Sequence, residues 1–326
     1  MLPRLRTIAA LSATLLLPPS LLAQSAPAGE SVGTILIAHG GGPAWDAQVL
    51  RIAQLADTGG PVEVSFLMGP GAAEHRFQDA ARRLAEQGVD RIVVVPLLVS
   101  SHSGHYQQIR YLVGQADELS EVMRHHLEMS GIERPDVDVP IVLTRAIDDS
   151  PEVADVLAER ALALAENPSE QALLLMGHGP NSAEDNAEWM RNLRPIARRV
   201  QQVTGFRNVM VGLVRDDAPA PVREEAVASI REIIQLQHLA TGRPVVVVPV
   251  LISTGSVSRE KFPRDLEGLP VVYEGEALLP HPGMARWVEA RVRDSASLVA
   301  APVRQSGGTT DTSGGAGAGT AVHHHH

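Results

Sequence analysis

GTILIAHG, residues 33–40, and ALLLMGHG, residues 172–179, are one phrase written twice. Each is an apolar run of strand length that ends in a histidine beside glycine. The likeness widens on moving outward. RIVVVPLLVSS (91–101) matches RPVVVVPVLIST (243–254), each carrying Val-Val-Val-Pro, and AIDDSPEVADVLAER (146–160) matches ALLPHPGMARWVEAR (277–291). Matching segments recurring in the same order mark one structural unit built twice.

Stretches of helical period separate the apolar runs, as in FQDAARRLAEQG (77–88) and VREEAVASIREIIQLQHL (222–239). Continuous β-branched runs alternating with helices imply a parallel sheet covered on both faces. The pattern places strands near 33–38, 62–67, 91–98 and 140–144, then near 171–177, 207–213, 244–250 and 270–273. Helices at 151–165 and 283–296 close the two halves. The expected fold is α/β, two similar doubly wound parallel-sheet lobes spanning 31–166 and 169–298 and facing a central cleft. Ligands of open α/β sheets bind at the carboxyl ends of strands, where His39 and His178 both fall.

Neither end reads as fold. Arg4 and Arg6 precede the apolar stretch TIAALSATLLL (7–17), with LLA at 21–23 or APA at 26–28 as a cleavage site. Residues 1–28 read as a secretory signal, an uncleaved anchor being the alternative, so the expected location is periplasmic or secreted. After cleavage no stable membrane association is expected. Residues 301–326 form a Gly/Ser/Thr-rich tail ending in His323–His326, either an expression tag or a native metal-collecting tract. The formal net charge of -10, with Lys261 the only lysine, argues against nucleic acid as a partner. The absence of cysteine removes disulfides, thiolate ligands and Cys nucleophiles.

Imidazoles gather at strand ends. His102 and His105 lie just past the strand at 91–98, so His39 and one or both of them can meet at one sheet edge. Two or three neutral imidazoles plus water make an open site for a divalent first-row metal. The alternative is that His102 and His105 cap the following helix. The second half has Ser256, Val257 and Ser258 where His105 would fall, which leaves His178 without that partner. His281 follows the last strand, and either reaches the cleft or starts a helix beside Pro282. Glu74, next to His75, is open to three readings: a third ligand, a proton acceptor, or an acid favoured at a helix N-terminus. Asp216 and Asp217 share that ambiguity. His125 and His126 read as a solvated helix face. Trp45 and Tyr106 are ring contacts or simple packing.

Several chemistries are absent. No G-x-x-x-x-G-K-[ST] occurs, so no nucleotide cofactor is expected at a phosphate loop. The only G-x-S-x-G, GESVG at 29–33, precedes the first strand, where no nucleophile elbow can form.

ILIAHGG, VVVPLLVSSHSGH, LLLMGHGPNSAEDNAEW and EALLPHPGMARWVEAR together resemble the sirohydrochlorin cobaltochelatase/ferrochelatase family, the ATP-independent (class II) tetrapyrrole chelatases, over most of residues 31–296. The resemblance implies two α/β lobes around a tetrapyrrole cleft and insertion of Co2+, Fe2+ or Ni2+ as substrate metal. By it, His39 and His105 hold the metal, with His102 also in play because Gly104 directly precedes His105. With that metal site, His102 or Glu74 is expected to take the protons and His178 to contact substrate or metal from the second lobe, with His281 a further candidate contact to the bound ring. Met68 stands where the family often carries an acidic residue, so that position supplies neither a ligand nor a base. The competing expectation is an exported metal or haem/tetrapyrrole carrier that kept the fold and lost turnover. Oligomeric state is not readable from the sequence.

Overall fold

A computed structural model of the chain describes residues 29–300. The signal at 1–28 and the histidine-ended tail at 301–326 lie outside the described residues. The first half runs β1 (Val32–Ala38), α1 (Pro43–Leu55), β2 (Val62–Phe66), α2 (Phe77–Glu86), β3 (Arg91–Leu97), α3 (Gly104–Leu112), α4 (Glu121–Met129), β4 (Ile141–Leu143) and α5 (Pro151–Leu164). The second runs β5 (Ala172–Gly177), α6 (Ala183–Thr204), β6 (Asn208–Leu213), α7 (Ala220–Thr241), β7 (Val245–Val250), α8 (Phe262–Asp265), β8 (Val271–Val272) and α9 (Pro282–Asp294). Every strand falls within a residue of its expected bounds.

Both sheets are wholly parallel, ordered β2-β1-β3-β4 and β6-β5-β7-β8. In each, the chain starts in the middle, builds outward to one side, then switches to the other. That switch opens a crevice at the carboxyl ends of β1 and β3, and of β5 and β7. The register sets Ala38 beside Leu97 and Gly177 beside Val250, so the residues that follow emerge side by side.

The strand runs are apolar on both faces because both faces are covered. Leu173, Leu175, Val246 and Val248 look into a core continuous with the first lobe. Their alternates Leu174, Met176, Val245 and Val247 pack under Ile230 and Ile234 of α7 and Phe262 of α8. This is the period-two alternation of a strand, with hydrophobic residues required on each side.

The sequence halves and the spatial lobes do not coincide at the closing helices. Helix α5 lies against α6 and β7 of the second half, whereas α9 returns to α1 and β3 of the first. The two helices also touch each other, and Trp287 of α9, fully buried, donates Nε1–H to Ser150 Oγ at the start of α5 (3.0 Å). Burying an aromatic of this size contributes about 3 kcal/mol, and here it joins the halves. The lobes are therefore fastened by exchanged helices, and the cleft between the sheet ends is fixed by them.

Candidate functional site

The cleft encloses about 950 Å³. Trp45, Leu98, Val99 and Met123 line it from the first half, and Trp189, Leu251 and Ile252 from the second. His39, His105 and His178 line it too. Its carboxylates, Asp185 and Asp217, both come from the second half, and among the described residues neither Arg nor Lys lines it.

Strand β1 ends at Ala38 and hands His39 directly to the cleft. His105 arrives by a longer route. Beyond β3, Asp148 is almost wholly buried and accepts Ser101 N–H (2.8 Å) and Ser101 Oγ–H (2.7 Å), pinning the loop. Ser103 then caps α3 by accepting Tyr106 N–H (3.2 Å), which sets His105 in the first helical turn. Gly104 brings α3 close to α4: a Cβ there would lie 2.8 Å from Met123 Sδ and displace that side chain. The His39 and His105 rings meet edge to face with centroids 4.5 Å apart.

Hydrogen bonds settle which ring nitrogens are free. The Gly40 carbonyl can only accept, so His39 Nδ1, 2.6 Å away, carries the hydrogen. Gln108 Nε2 donates to the Met123 carbonyl (2.7 Å), which turns Gln108 Oε1 toward His105 Nδ1 (2.8 Å) and makes that nitrogen a donor as well. His178 repeats the His39 arrangement, with Nδ1 donating to the Gly179 carbonyl (2.9 Å). All three rings thus keep an Nε2 lone pair, the state in which imidazole binds metals. Burial holds His105 down to about 4, with the neighbouring His39 acting in the same sense. Burial also lowers His39, against the opposing effect of its bond to Gly40.

His178 Nε2 stands 3.3 Å from Asp217 Oδ2 and 3.7 Å from Asp216 Oδ2. Those ligand atoms lie within 4.8 Å of one another. The two acids differ. The Asp216 side chain is 2% exposed; its desolvation alone would raise the carboxyl, but bonds from Lys261 and Arg223 outweigh this and lower it. The same two cations oppose a divalent ion at Asp216. Asp217 is two-thirds exposed.

Other candidates lie elsewhere. His102 is outside the cleft lining, half-exposed, with Nε2 3.8 Å from Glu188. Its backbone carbonyl accepts Trp189 Nε1–H (2.6 Å). Glu74 lies with Glu63, His75 and Arg83 beside edge strand β2, in a separate hollow of about 440 Å³, because the short turn at 70–73 carries it away from the sheet's carboxyl edge. His281 caps α9: Nδ1 accepts Gly283 N–H (3.0 Å) and Nε2 lies 3.1 Å from Glu159. Both ring nitrogens are engaged, outside the cleft. Tyr106 donates its hydroxyl to the Thr144 carbonyl (3.0 Å).

The sequence reading misses Gln108, takes His126 as solvated and leaves Asp217 open among several roles. Gln108 sits three positions beyond His105, a spacing that places both on one helical face. Asp217 follows β6, the counterpart of β2, but only the fold brings it to His178. His126 is not part of a solvated face: its Nδ1 is buried without a hydrogen-bond partner among the described residues, and its charge acts on both His39 and His105. Leu127, buried on the same helix, marks the inward side.

A two-lobe α/β protein with metal-competent histidines at the switch point of its first sheet is the class that fold and site define. The CbiX family model matches residues 33–164. A sirohydrochlorin cobaltochelatase from Methanopyrus kandleri is 28% identical over 137 residues, 40% of this chain and 94% of that protein. SirB from Bacillus subtilis with Fe3+ superposes with a TM-score of 0.58 at 18% identity, covering 82% of this chain and 96% of SirB. The sirohydrochlorin chelatase SirB of B. subtilis subspecies spizizenii, in complex with cobalt, gives 0.54 at 19% identity, over 82% and 95% of the two chains. The family match thus lies in the first half of the chain, and the fold of the whole is that of these solved chelatases.

Proposed function

We propose that this chain inserts a divalent first-row metal, Co2+ or Fe2+ with Ni2+ as a further candidate, into a tetrapyrrole such as sirohydrochlorin without ATP. The observation that carries the reading is the His39–His105 pair, whose hydrogen bonds leave two Nε2 lone pairs at one end of an apolar cleft. Two neutral nitrogen donors hold a divalent ion less firmly than a full protein cage, and the vacant positions are filled by water or by ring nitrogens. The tryptophan and aliphatic walls suit the faces of a planar macrocycle and strip water from the ion as it transfers. The similarity to chelatases named for sirohydrochlorin supports this substrate class. We further propose that residues 1–28 direct export, which places the reaction in the periplasm or outside the cell.

The test uses protein ending at Val303, so that His323–His326 cannot bind the metal. Co2+ and sirohydrochlorin are mixed anaerobically and the absorption spectrum followed. Conversion of many equivalents, lost in His39→Ala and in His105→Ala, is expected. A shift that stops at one equivalent identifies a carrier instead. No shift and no metal uptake refutes the reading.

A further inference from the structure

His105 is carried by the loop that follows β3, and that loop is held from both halves of the chain. Within the first half, buried Asp148 accepts Ser101 N–H and Oγ–H. Asp148 itself stands at φ 48°, a conformation that a residue other than glycine keeps only where its surroundings hold it. Arg145 Nε–H donates to its Oδ2 (3.1 Å). The remaining holds come from α6. Asn192 Nδ2–H donates to Asp148 Oδ1 (3.2 Å), and Trp189 Nε1–H donates to the carbonyl of His102 (2.6 Å). Glu188 stands 3.8 Å from His102 Nε2.

The contact has a counterpart on the opposite side of the cleft. Ser253 and Thr254 follow β7 as Ser100 and Ser101 follow β3. Gln48 of α1 donates Nε2–H to the Thr254 carbonyl (3.0 Å) and accepts Thr254 N–H at Oε1 (3.1 Å). Ser253 Oγ–H donates to the Trp45 carbonyl (3.1 Å). Each repeat therefore uses its first helix to hold the loop after the other repeat's third strand. The two loops differ in what they carry. The first leads to His105, whereas the second leads to Ser256, Val257 and Ser258, so α6 alone holds a loop that carries a metal-holding residue.

We propose that Trp189 is a positioning residue for His105: its indole N–H, with Asn192 beside it, makes the second repeat part of the metal site that the first repeat's histidines form. The inference rests on the metal-insertion reading above. The Trp189 ring lines the cleft wall while its N–H holds the loop at His102. Trp189 is almost fully buried, where a lost hydrogen bond is not simply replaced by one to water. Displacing the loop reaches the ligand directly. The Ser103 cap and Gln108 fix His105 to α3, so α3 moves with the loop and the edge-to-face meeting of His39 and His105 changes with it. Packing of the halves does not require the bond, because α6 already lies along α5 and β6, and α9 is tied to α5 at Trp287 and Ser150.

Trp189→Phe keeps an aromatic ring on the wall and removes the N–H. In protein ending at Val303, its Co2+ affinity is expected to fall about 10-fold. The visible absorption of the bound Co2+, which reports the geometry of its ligands, should change as well. Asn192→Ala, clear of the cleft wall, should move both readouts in the same direction by releasing Asp148. Trp287→Phe removes a different buried indole bond, the one to Ser150; it should lower the melting temperature and leave Co2+ affinity and spectrum as in the wild type. Two results overturn the inference: wild-type affinity and spectrum in Trp189→Phe, or an equal loss in Trp287→Phe, which would make the effect one of general stability. A wild-type protein that binds no Co2+ fails at the earlier step and overturns the metal-insertion reading itself.

Discussion

Gln108 is the residue on which the metal competence of His105 depends, and Gln108→Leu tests that dependence. The side chain is fully buried and makes two hydrogen bonds, one to His105 Nδ1 and one to the Met123 carbonyl. Leucine has a similar volume, so no large cavity forms, but both partners lose their bond in a buried place. Each orphaned group costs about 1–3 kcal/mol, so stability should fall by roughly 2–5 kcal/mol. The freed imidazole can then move its hydrogen to Nε2 or rotate, and loss of such a supporting bond lowers metal affinity about 10- to 100-fold. Gln108→Glu separates the effects. A carboxylate still accepts from Nδ1 and keeps Nε2 free, but it cannot donate to Met123. It should therefore lose stability while retaining Co2+ binding. The assay is a Co2+ titration of protein ending at Val303, read by visible absorption, beside thermal unfolding in far-ultraviolet circular dichroism. A folded Gln108→Leu protein with wild-type Co2+ affinity would refute the argument that this bond selects the binding tautomer.

The pH dependence of stability follows from His105. Its folded value of about 4 lies below the unfolded 6.5, so the fold favours the neutral ring. That stability is complete above about pH 6.5 and is lost as pH falls toward 4, by at most about 3 kcal/mol; urea unfolding between pH 7.5 and 4.5 should show a smaller slope in His105→Gln. Gly40 sits at φ 89°, and a Cβ would lie 2.0 Å from the Met68 carbonyl oxygen. Gly40→Ala should destabilise the protein by at least about 1–3 kcal/mol and weaken Co2+ binding through His39, both measurable in the same titration and melt. His281→Ala should cost about 0.5–2 kcal/mol as a lost helix cap and leave Co2+ affinity unchanged, whereas weakened Co2+ binding would return His281 to the site. Trp287→Ala should cost about 3–5 kcal/mol, and calorimetry should show one transition lowered as a whole, because α9 and α5 tie both halves into one core; two separated transitions would contradict the exchanged-helix packing.

Much of this molecule is local in origin and therefore legible in the sequence. Strand runs such as RIVVVPL and ALLLMG declare themselves because both faces of a covered parallel sheet must be apolar, and no surrounding context reverses that requirement. His39 and His178 were placed by the same logic, since a residue directly after a strand emerges at the sheet's carboxyl edge. His105 was harder, because its position depends on the loop that Asp148 pins and on the cap at Ser103, and His102, only three residues earlier, turns instead toward Glu188. Glu74 and His281 show the limit of counting from strand ends: a short turn carries one away, and a helix start engages both nitrogens of the other. Tertiary structure alone decided the rest. It exchanged α5 and α9 between the halves, brought Asp217 to His178, turned His126 inward, and used the Met123 carbonyl to fix a histidine tautomer through Gln108. Each of these joins residues distant in the chain through distances and orientations that packing sets, and no periodicity or spacing in the sequence encodes them.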